Sequence, residues 1–278
     1  MNPFENMLSA VRHNKPLVHF ITNYVTVNDC ANMTLAAGGS PIMADDLREA
    51  GQITRLCSAL VLNMGTLNER TVLSMLAAGK EANRLGLPVV FDPVGAGASD
   101  FRNETAATLL REIRFAAIKG NISEVSYLAN GMGTTKGVDA SLEALSTEGN
   151  LSGHVGLARD LSARTGAVIV ISGPIDIVAD SREAWAVRNG HPMMASITGT
   201  GCMSAGVIGC YAGANPQEIL PSCVCAMSAM GVCGELAYEK LLSVDGGTGS
   251  YRVLLMDAMS RLDGAMLSRR IKAELLKS

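Results

Sequence analysis

The chain has 278 residues, of which 48% are hydrophobic and 18% are charged, and its formal net charge is −3. Because it carries neither a basic stripe nor basic residues interleaved with aromatic ones, it is not expected to bind nucleic acid. The length fits a single α/β domain spanning residues 1–278, and the low charge content indicates that some apolar surface is covered in an oligomer.

The seven cysteines and the N-terminal segment predict a cytoplasmic protein that is not attached to a membrane. The cysteine number is odd, and most of these residues lie in apolar helical stretches, which favours reduced thiols over a disulfide framework. Residues 1–5 do not resemble a signal peptide. The longest apolar stretch, from Ile197 to about Ala214, is interrupted by Gly and Cys, so no membrane span is expected.

Helix and strand patterns alternate through the first half of the chain. The predicted helices cover residues 3–14, 27–37, 46–57 and 69–85. The predicted strands cover residues 17–21, 41–43, 59–62 and 88–91.

The same alternation continues in the second half. Helices are predicted at 105–113, from 123 to 129, at 154–165, from 202 onward and at 251–270. Strands are predicted at 116–119 and 168–172, followed by a hairpin of 175–180 and 184–189. The polar segment 131–149 is predicted to be a surface excursion.

Short strands that alternate with helices predict βαβ units, and therefore a mainly parallel sheet covered by helices on both faces. Ligands of such sheets bind beyond the carboxyl ends of the strands. The predicted strand ends carry mostly small polar residues, namely Asn23, Met43, Asn63, Asp92, Asn121 and Ser172. We therefore expect these side chains to meet at one edge of the sheet.

A glycine-rich turn, Ile-Thr-Gly-Thr-Gly-Cys at 197–202, precedes a strongly apolar helix. The free N–H groups and partial positive charge of a helix N-terminus suit a phosphate, and glycine lets the backbone approach it closely. Cys202 falls in the first helical turn, where a thiol pKa is expected to drop. The alternative is a plain packing turn in which Cys202 is a small buried hydrophobic residue.

Two further motifs carry acidic residues. Asp92 ends a strand and begins a Gly-containing loop, so it could bind Mg²⁺ or orient a hydroxyl, or else form an Asx-type turn. Asn121 and Glu124 have the spacing of a capping box. Alternatively, Glu124 and Asp92 face one crevice and bind Mg²⁺ with phosphate, while Lys119 pairs with a phosphate.

Three common motifs are missing from the sequence. There is no Gly-x-x-x-x-Gly-Lys-Ser/Thr, no Gly-x-Gly-x-x-Gly after the first strand and no Gly-x-Ser-x-Gly. These absences argue against a P-loop nucleotidase, a nicotinamide dehydrogenase and an α/β-hydrolase.

The order and spacing of Asn121-x-x-Glu124, Ser172-Gly173 and the 199–202 turn resemble those of ribokinase-like sugar and vitamin kinases. In that superfamily an Asp, the catalytic base, follows the glycine turn, whereas this chain has Cys202. The chain closely resembles the hydroxyethylthiazole kinase family of thiamine salvage. This resemblance is carried by Cys202 and by the motifs at 23–26, 41–44, 63–66, 92–96 and 119–124. The resemblance runs from about Lys15 to Arg269.

The resemblance implies a three-layer α/β/α ribokinase-like fold with a mainly parallel central sheet and no lid domain. It implies ATP- and Mg²⁺-dependent phosphorylation of the primary alcohol of 4-methyl-5-(2-hydroxyethyl)thiazole. It also implies a homotrimer with three active sites at the subunit boundaries.

The family's site residues carry over position by position. The thiazole alcohol would lie near Asn23, Met43 and Gly199. ATP would contact Lys119, where arginine is more usual, together with Asn121 and Ser172, where threonine is common. Asp92 and Glu124 would hold Mg²⁺. The backbone of Gly199, Thr200 and Gly201 would stabilise the transferred phosphoryl group, and Cys202 would position the alcohol and act only modestly as a base.

Other functions remain open from the residues alone. A hydroxymethylpyrimidine, pyridoxal or sugar kinase would share the anion site, although these enzymes usually have Asp at position 202. An ATP-dependent dehydratase of the same fold matches the chain less well. A non-catalytic nucleotide-binding regulator would not need the complete set of phosphoryl-transfer residues, namely Asp92, Glu124 and the Gly-Thr-Gly turn.

Overall fold

A computed structural model describes residues 3–131 and 146–276, and their strands form one nine-stranded sheet. The strands are β1 Leu17–Ile21, β2 Ser40–Met43, β3 Ala59–Asn63, β4 Val89–Asp92, β5 Ala117–Asn121, β6 Val168–Ser172, β7 Asp176–Ala179, β8 Ala184–Val187 and β9 Ala273–Leu275. Their order is β2-β1-β3-β4-β5-β6-β7-β8-β9. Strands β1 to β6 pair in parallel with their neighbours. Strands β7, β8 and β9 extend the sheet in antiparallel fashion. The predicted mainly parallel sheet is therefore confirmed.

Helices connect the strands and cover both faces of the sheet. They are α1 Pro3–Asn14, α2 Val27–Ala37, α3 Ala50–Thr54, α4 Glu69–Leu85, α5 Asp100–Glu112, α6 Ile122–Gly131, α7 Leu151–Thr165, α8 Thr200–Ala214, α9 Ile219–Leu241, α10 Thr248–Arg261 and α11 Gly264–Arg270. Successive side chains of a strand point to opposite faces, so alternate residues of each buried strand belong to different cores. Phe20 and Val61 pack with α8 and α9 on one face, whereas Leu62 and Phe91 pack with α4 and α5 on the other. This is the three-layer α/β/α arrangement expected from the sequence.

The apolar helices α8 and α9 are central to one of these cores. Ten consecutive residues of α8, Met203–Ala212, are buried. Helix α9 is long and apolar enough to cross a membrane, but 78% of its most apolar 18-residue segment is buried inside the fold. Its composition is therefore explained by its position between α8, α10 and the sheet.

Local capping explains where several predicted boundaries were wrong. Helix α5 begins at Asp100 rather than 105 because the Ser99 side chain caps it. The predicted helix 251–270 is divided into α10 and α11, and the Asp263 carboxylate accepts from Met266 N at 2.7 Å to start the second helix. The predicted helix 46–57 contains only the short α3, because residues 47–49 form a turn closed by Ala50 N donating to Asp46 O.

Three further segments can be compared with the sequence-based predictions. The three-residue strand β9, which pairs with β8, was missed. The hairpin of β7 and β8 is confirmed. Most of the surface excursion predicted at 131–149 lies outside the described residues.

Candidate active site

The parallel register brings the predicted strand ends to one edge of the sheet. Asn63 at the end of β3 is paired with Asp92 at the end of β4, and Asn121 at the end of β5 is paired with Ser172 at the end of β6. Met43 ends the edge strand β2 and is 36% exposed. The expectation that these residues share one edge is confirmed.

The turn before α8 is shaped by Gly199. This residue is the N-cap of α8 and has φ of +89°, a left-handed conformation that favours glycine. A Cβ at this position would lie 2.6 Å from the Thr26 methyl carbon, so the turn also needs the missing side chain for space. The Thr200 hydroxyl donates to the Met194 carbonyl at 3.2 Å. The groups of this turn that could bind an anion are therefore its backbone N–H groups.

Lys119 lies against this turn. A Cβ on Gly201 would be 2.9 Å from the Lys119 Nζ atom, and Lys119 is only 4% exposed. Its charge favours the ionised forms of Asp92 and Asp176, although among the described residues it forms no ion pair within 4.0 Å. A buried cation beside free helical N–H groups makes this turn strongly complementary to an anion.

Four polar residues form a continuous network beneath the turn. Asn63 Nδ2 donates to Asp92 Oδ2 at 2.6 Å and to Cys202 Sγ at 3.2 Å. Asn23 Nδ2 donates to Asn63 Oδ1 at 2.9 Å and to Cys202 Sγ at 3.4 Å. The Thr26 backbone N–H and hydroxyl both donate to Asn23 Oδ1, which fixes that amide in turn.

The expected fall in the Cys202 thiol pKa is wrong. Burial of the side chain and the nearby Asp92 charge raise the pKa of Cys202, and the hydrogen bonds from Thr26 and Asn63 oppose this only in part. The thiol is half-buried behind the turn, so the desolvation cost of a thiolate exceeds the benefit of the helix N-terminus.

Asp92 and Glu124 lie near each other but have different surroundings. Asp92 is 1% exposed, and burial raises its pKa to about 6, with the Glu124 charge adding to the rise and Lys119 opposing it. Glu124 Oε2 accepts from Asn121 N and Oε1 accepts from Gly95 N, while Asn121 Oδ1 accepts from Glu124 N. The reciprocal capping box at the start of α6 is thus present, and Glu124 also holds the loop that follows Asp92.

These two carboxylates fit Mg²⁺ only as part of a larger ligand set. The described ranges contain no group of three or more His, Cys, Asp or Glu side chains placed to hold a metal. Mg²⁺ in phosphoryl-transfer sites is commonly bound by one or two carboxylates together with phosphate oxygens and waters. A cation would also relieve the repulsion between Asp92 and Glu124, so the donor set suits Mg²⁺ bound with a nucleotide.

One cavity opens beside the network at Asn63, and a second opens beside the turn before α8. The smaller, of about 230 Å³, is lined by Asn63 and Met43, and its other lining residues include Phe20, Thr22, Tyr24, Val27, Gly65, Thr66 and Met75. The larger, of about 570 Å³, is lined by Ser172, Thr200 and Gly201 at one end and by Met194, Met227 and Met230 farther away. The first has the size for a small heterocycle and the second has room for a nucleotide.

Three residues of this region were not assigned a role from the sequence. Asn63 was noted as a polar strand end and as part of the motif at 63–66, and these were the signals that could have identified it. Asp176 lines the larger cavity and accepts from Gly173 N at 2.9 Å, and burial raises its pKa to about 7. Thr26, which fixes Asn23, was noted only as part of the motif at 23–26.

Comparison with known proteins gives a consistent result. The model of the hydroxyethylthiazole kinase family matches residues 8–264. A curated hydroxyethylthiazole kinase of Desulfovibrio desulfuricans is 59% identical over 97% of both chains.

Solved structures agree with this match. The hydroxyethylthiazole kinase protein of Pyrococcus horikoshii superposes with a TM-score of 0.87 and 32% identity over 100% of both chains. A ribokinase-like superfamily protein of Enterococcus faecalis has a TM-score of 0.58 and 12% identity over 91% of this chain and 89% of its own, and shares the fold.

Proposed function

We infer that this chain, which belongs to the hydroxyethylthiazole kinase family, transfers the γ-phosphoryl group of ATP to the primary alcohol of 4-methyl-5-(2-hydroxyethyl)thiazole. The chain is a kinase of that family. The nucleotide donor, the need for Mg²⁺, the individual site residues and a place in thiamine biosynthesis or salvage are our proposal.

One observation carries the proposal. Thr200 and Gly201 line the nucleotide-sized cavity, and Cys202 of the same turn is hydrogen-bonded to Asn63, which lines the smaller cavity. The buried Lys119 ammonium group lies beside Gly201. A phosphoryl group passing from one cavity to the other would meet backbone N–H groups and a cation along its path.

The smaller cavity would receive the thiazole alcohol. Met43 in the cavity lining would contact the heterocycle. Gly199 and Asn23 would approach the alcohol from beside Cys202, which is hydrogen-bonded to the lining residue Asn63. The match in size and the apolar lining from Phe20 and Met75 support this assignment.

The larger cavity would receive ATP. Ser172 and Asn121 would face the phosphates from adjacent strand ends, and Lys119 would bind a phosphate as a point charge. Asp92 and Glu124 would hold Mg²⁺, which when bound neutralises phosphate charge and orients the leaving group.

The transfer needs little covalent help from the protein. The bond between the γ-phosphorus and the β–γ bridging oxygen breaks, and ADP leaves with that oxygen. A bond forms between the γ-phosphorus and the alcohol oxygen, and the hydroxyl proton passes to solvent water late in the transfer. The N–H groups of Gly199, Thr200 and Gly201 stabilise charge on the phosphoryl oxygens, while Cys202 holds the alcohol. Because the transition state is loose, a thiol with a raised pKa is sufficient for this positioning role.

ADP production measured with and without the thiazole alcohol tests the proposal. We expect ADP only when the alcohol and Mg²⁺ are both present, and we expect EDTA to abolish turnover and excess Mg²⁺ to restore it. Hydroxymethylpyrimidine, pyridoxal and a sugar serve as alternative acceptors in the same assay. ADP formed only with one of these would refute the acceptor assignment, and no ADP with any acceptor would favour a regulatory nucleotide-binding protein.

Assembly, compartment and domain organisation are also part of the proposal. Exposed Tyr24 and Met43 at the smaller cavity support a homotrimer with shared active sites. The seven cysteines, all free, support a cytoplasmic location. The continuous nine-stranded sheet supports a single domain over residues 1–278.

A further inference from the structure

The Asn63 amide lines the smaller cavity and contacts Cys202, which belongs to the turn whose residues Thr200 and Gly201 line the larger cavity. Asn63 is 1% exposed. Its Nδ2 and Oδ1 atoms each make two hydrogen bonds. Its Nδ2 donates to Asp92 and Cys202, and its Oδ1 accepts from Asn23 Nδ2 and from Gly65 N at 2.8 Å. A primary amide has two N–H groups and two lone pairs, so this is its complete capacity.

This set of partners gives the amide only one orientation. Rotating it by 180° would bring Oδ1 against the Asp92 carboxylate and would bring the NH₂ group against the Gly65 N–H. Both contacts would be repulsive. The backbone of Gly65 and the carboxylate of Asp92 therefore hold the amide with one N–H directed at residue 202.

The Cys202 sulfur consequently receives two N–H donors, from Asn63 at 3.2 Å and from Asn23 at 3.4 Å. The hydrogen of the thiol is then available to an acceptor such as the Asp92 carboxylate, the Thr26 hydroxyl oxygen or an alcohol oxygen. The two amides therefore contribute to the orientation of the thiol.

We propose that Asn63 is a positioning residue that acts through residue 202: with Asn23 it forms a donor pair that holds the Cys202 sulfur against the acceptor alcohol. This inference rests on the proposed function, because the role of the sulfur is to hold the alcohol for phosphoryl transfer. The same donor pair would bind a carboxylate oxygen at position 202 equally well.

The first test compares Asn63→Ala with Asn63→Asp, because Asp keeps the shape of the side chain but replaces its N–H donors by an acceptor. We expect kcat to fall about 10-fold in both variants, with KM for ATP changed less than about 2-fold. Asn83→Ala is the matched control, since the Asn83 amide also bridges backbone groups, those of Arg114, but at a distance from this site. Its kcat should equal that of the wild type, and unfolding temperatures should be measured for all three variants.

The second test repeats Asn63→Ala in a Cys202→Ala background. If Asn63 acts through residue 202, the substitution should lower kcat less than about 3-fold there, against about 10-fold in the wild type. Equal losses in the two backgrounds would overturn the inference, because a merely structural role does not depend on the side chain at 202. Wild-type kcat in a folded Asn63→Ala variant would also overturn it.

A spectroscopic test does not depend on turnover. The S–H stretching band of Cys202 is obtained as the infrared difference between wild type and Cys202→Ala, and the same difference is recorded for proteins carrying Asn63→Ala. We expect the band to shift when the Asn63 donor is removed, and an unshifted band would overturn the inference even if the protein proved inactive. Failure of the proposed function would appear instead as a wild-type protein that makes no ADP from the thiazole alcohol.

Discussion

At position 202 the chain carries a thiol, and the two amides beside it could also bind a carboxylate. Two amide donors face the Sγ atom, and both would stabilise a carboxylate oxygen. The Asp92 charge and burial disfavour a thiolate and raise the pKa of the thiol. The residue is therefore better suited to hold an alcohol than to deprotonate it.

Replacing Cys202 by Asp is expected to retain or raise turnover. A carboxyl group has a much lower intrinsic pKa than a thiol. The N–H groups of Asn23 and Asn63 would orient the carboxylate and favour its ionised form against burial and the Asp92 charge. The measurement is kcat for ADP formation with the thiazole alcohol, with circular dichroism to verify folding. A folded variant without any activity would contradict the positioning role assigned to this residue.

Asp176 is a buried carboxylate whose charge destabilises the fold. Burial raises its pKa from 3.8 to about 7, while the Gly173 N–H and the Lys119 charge oppose the rise. The folded state thus binds more protons than the unfolded state between pH 4 and pH 7. By linkage, the free energy of unfolding falls as pH rises through this window and levels off above pH 7.

Asp176→Asn should remove this pH dependence and keep the acceptor for Gly173 N. We expect its unfolding temperature to exceed that of the wild type by about 5 °C at pH 8 and to match it near pH 4. Asp257→Asn, which changes an exposed carboxylate, should follow the wild type across the range. A constant difference between Asp176→Asn and wild type from pH 4 to pH 8 would show that the Asp176 carboxyl does not titrate in this window.

At the scale of elements, the start of α8 combines three features that suit a phosphate. Gly199 provides the left-handed turn, the first N–H groups of the helix are free, and Lys119 reaches the turn from β5. The lysine comes from a different strand, so its distance to the turn depends on the packing of α8 against the sheet.

Gly201→Ala should weaken ATP binding with little loss of stability. The added methyl group would lie 2.9 Å from Lys119 Nζ, and this flexible side chain would move away from the turn. We expect KM for ATP to rise about 10-fold, because a charge-assisted contact to phosphate is lost. Gly156→Ala in α7, where a Cβ would meet nothing within 4 Å, is the control and should leave KM unchanged. An unchanged KM in Gly201→Ala would exclude Lys119 from the phosphate site.

Most elements could be predicted because their boundaries are encoded locally. The helix 27–37 was placed correctly since Gly38 ends it with φ of +106°, and the strand 168–172 was recognised as a short buried apolar run. Strand β9 could not be predicted from three residues, because only its pairing with β8 makes it a strand. The division between α10 and α11 depends on one Asp263 cap within a continuous helical pattern.

At the scale of the whole molecule, large apolar side chains are exposed around the smaller cavity. Tyr24, which lines the smaller cavity, is 77% exposed, and the next residue in the chain, Val25, is 58% exposed. Neighbouring exposed apolar residues of this kind mark a surface that is covered in an assembly. They support the proposal that a second subunit completes the acceptor site.

Tyr24→Asp should therefore disrupt the oligomer and weaken acceptor binding together. We expect light scattering coupled to size exclusion to give three times the chain mass for the wild type and a smaller assembly for the variant, with KM for the thiazole alcohol raised about 10-fold. Leu242→Asp is the matched control, since Leu242 is 71% exposed but lies at the end of α9. A monomeric wild type, or a trimeric Tyr24→Asp variant with unchanged KM, would refute a shared site.

The sequence alone determined the order of the elements, the parallel sheet and the residues at its carboxyl edge, because hydrophobic periodicity and capping signals act over a few residues. It also determined the family, through several short motifs in a fixed order. Only the tertiary structure decided which polar groups touch. The four-residue network of Asn23, Asn63, Asp92 and Cys202 joins positions up to 179 apart in the chain, and the burial that raises the pKa of Cys202 comes from packing around it. Hydrogen bonding and desolvation depend on distances between elements, and no local pattern encodes those distances.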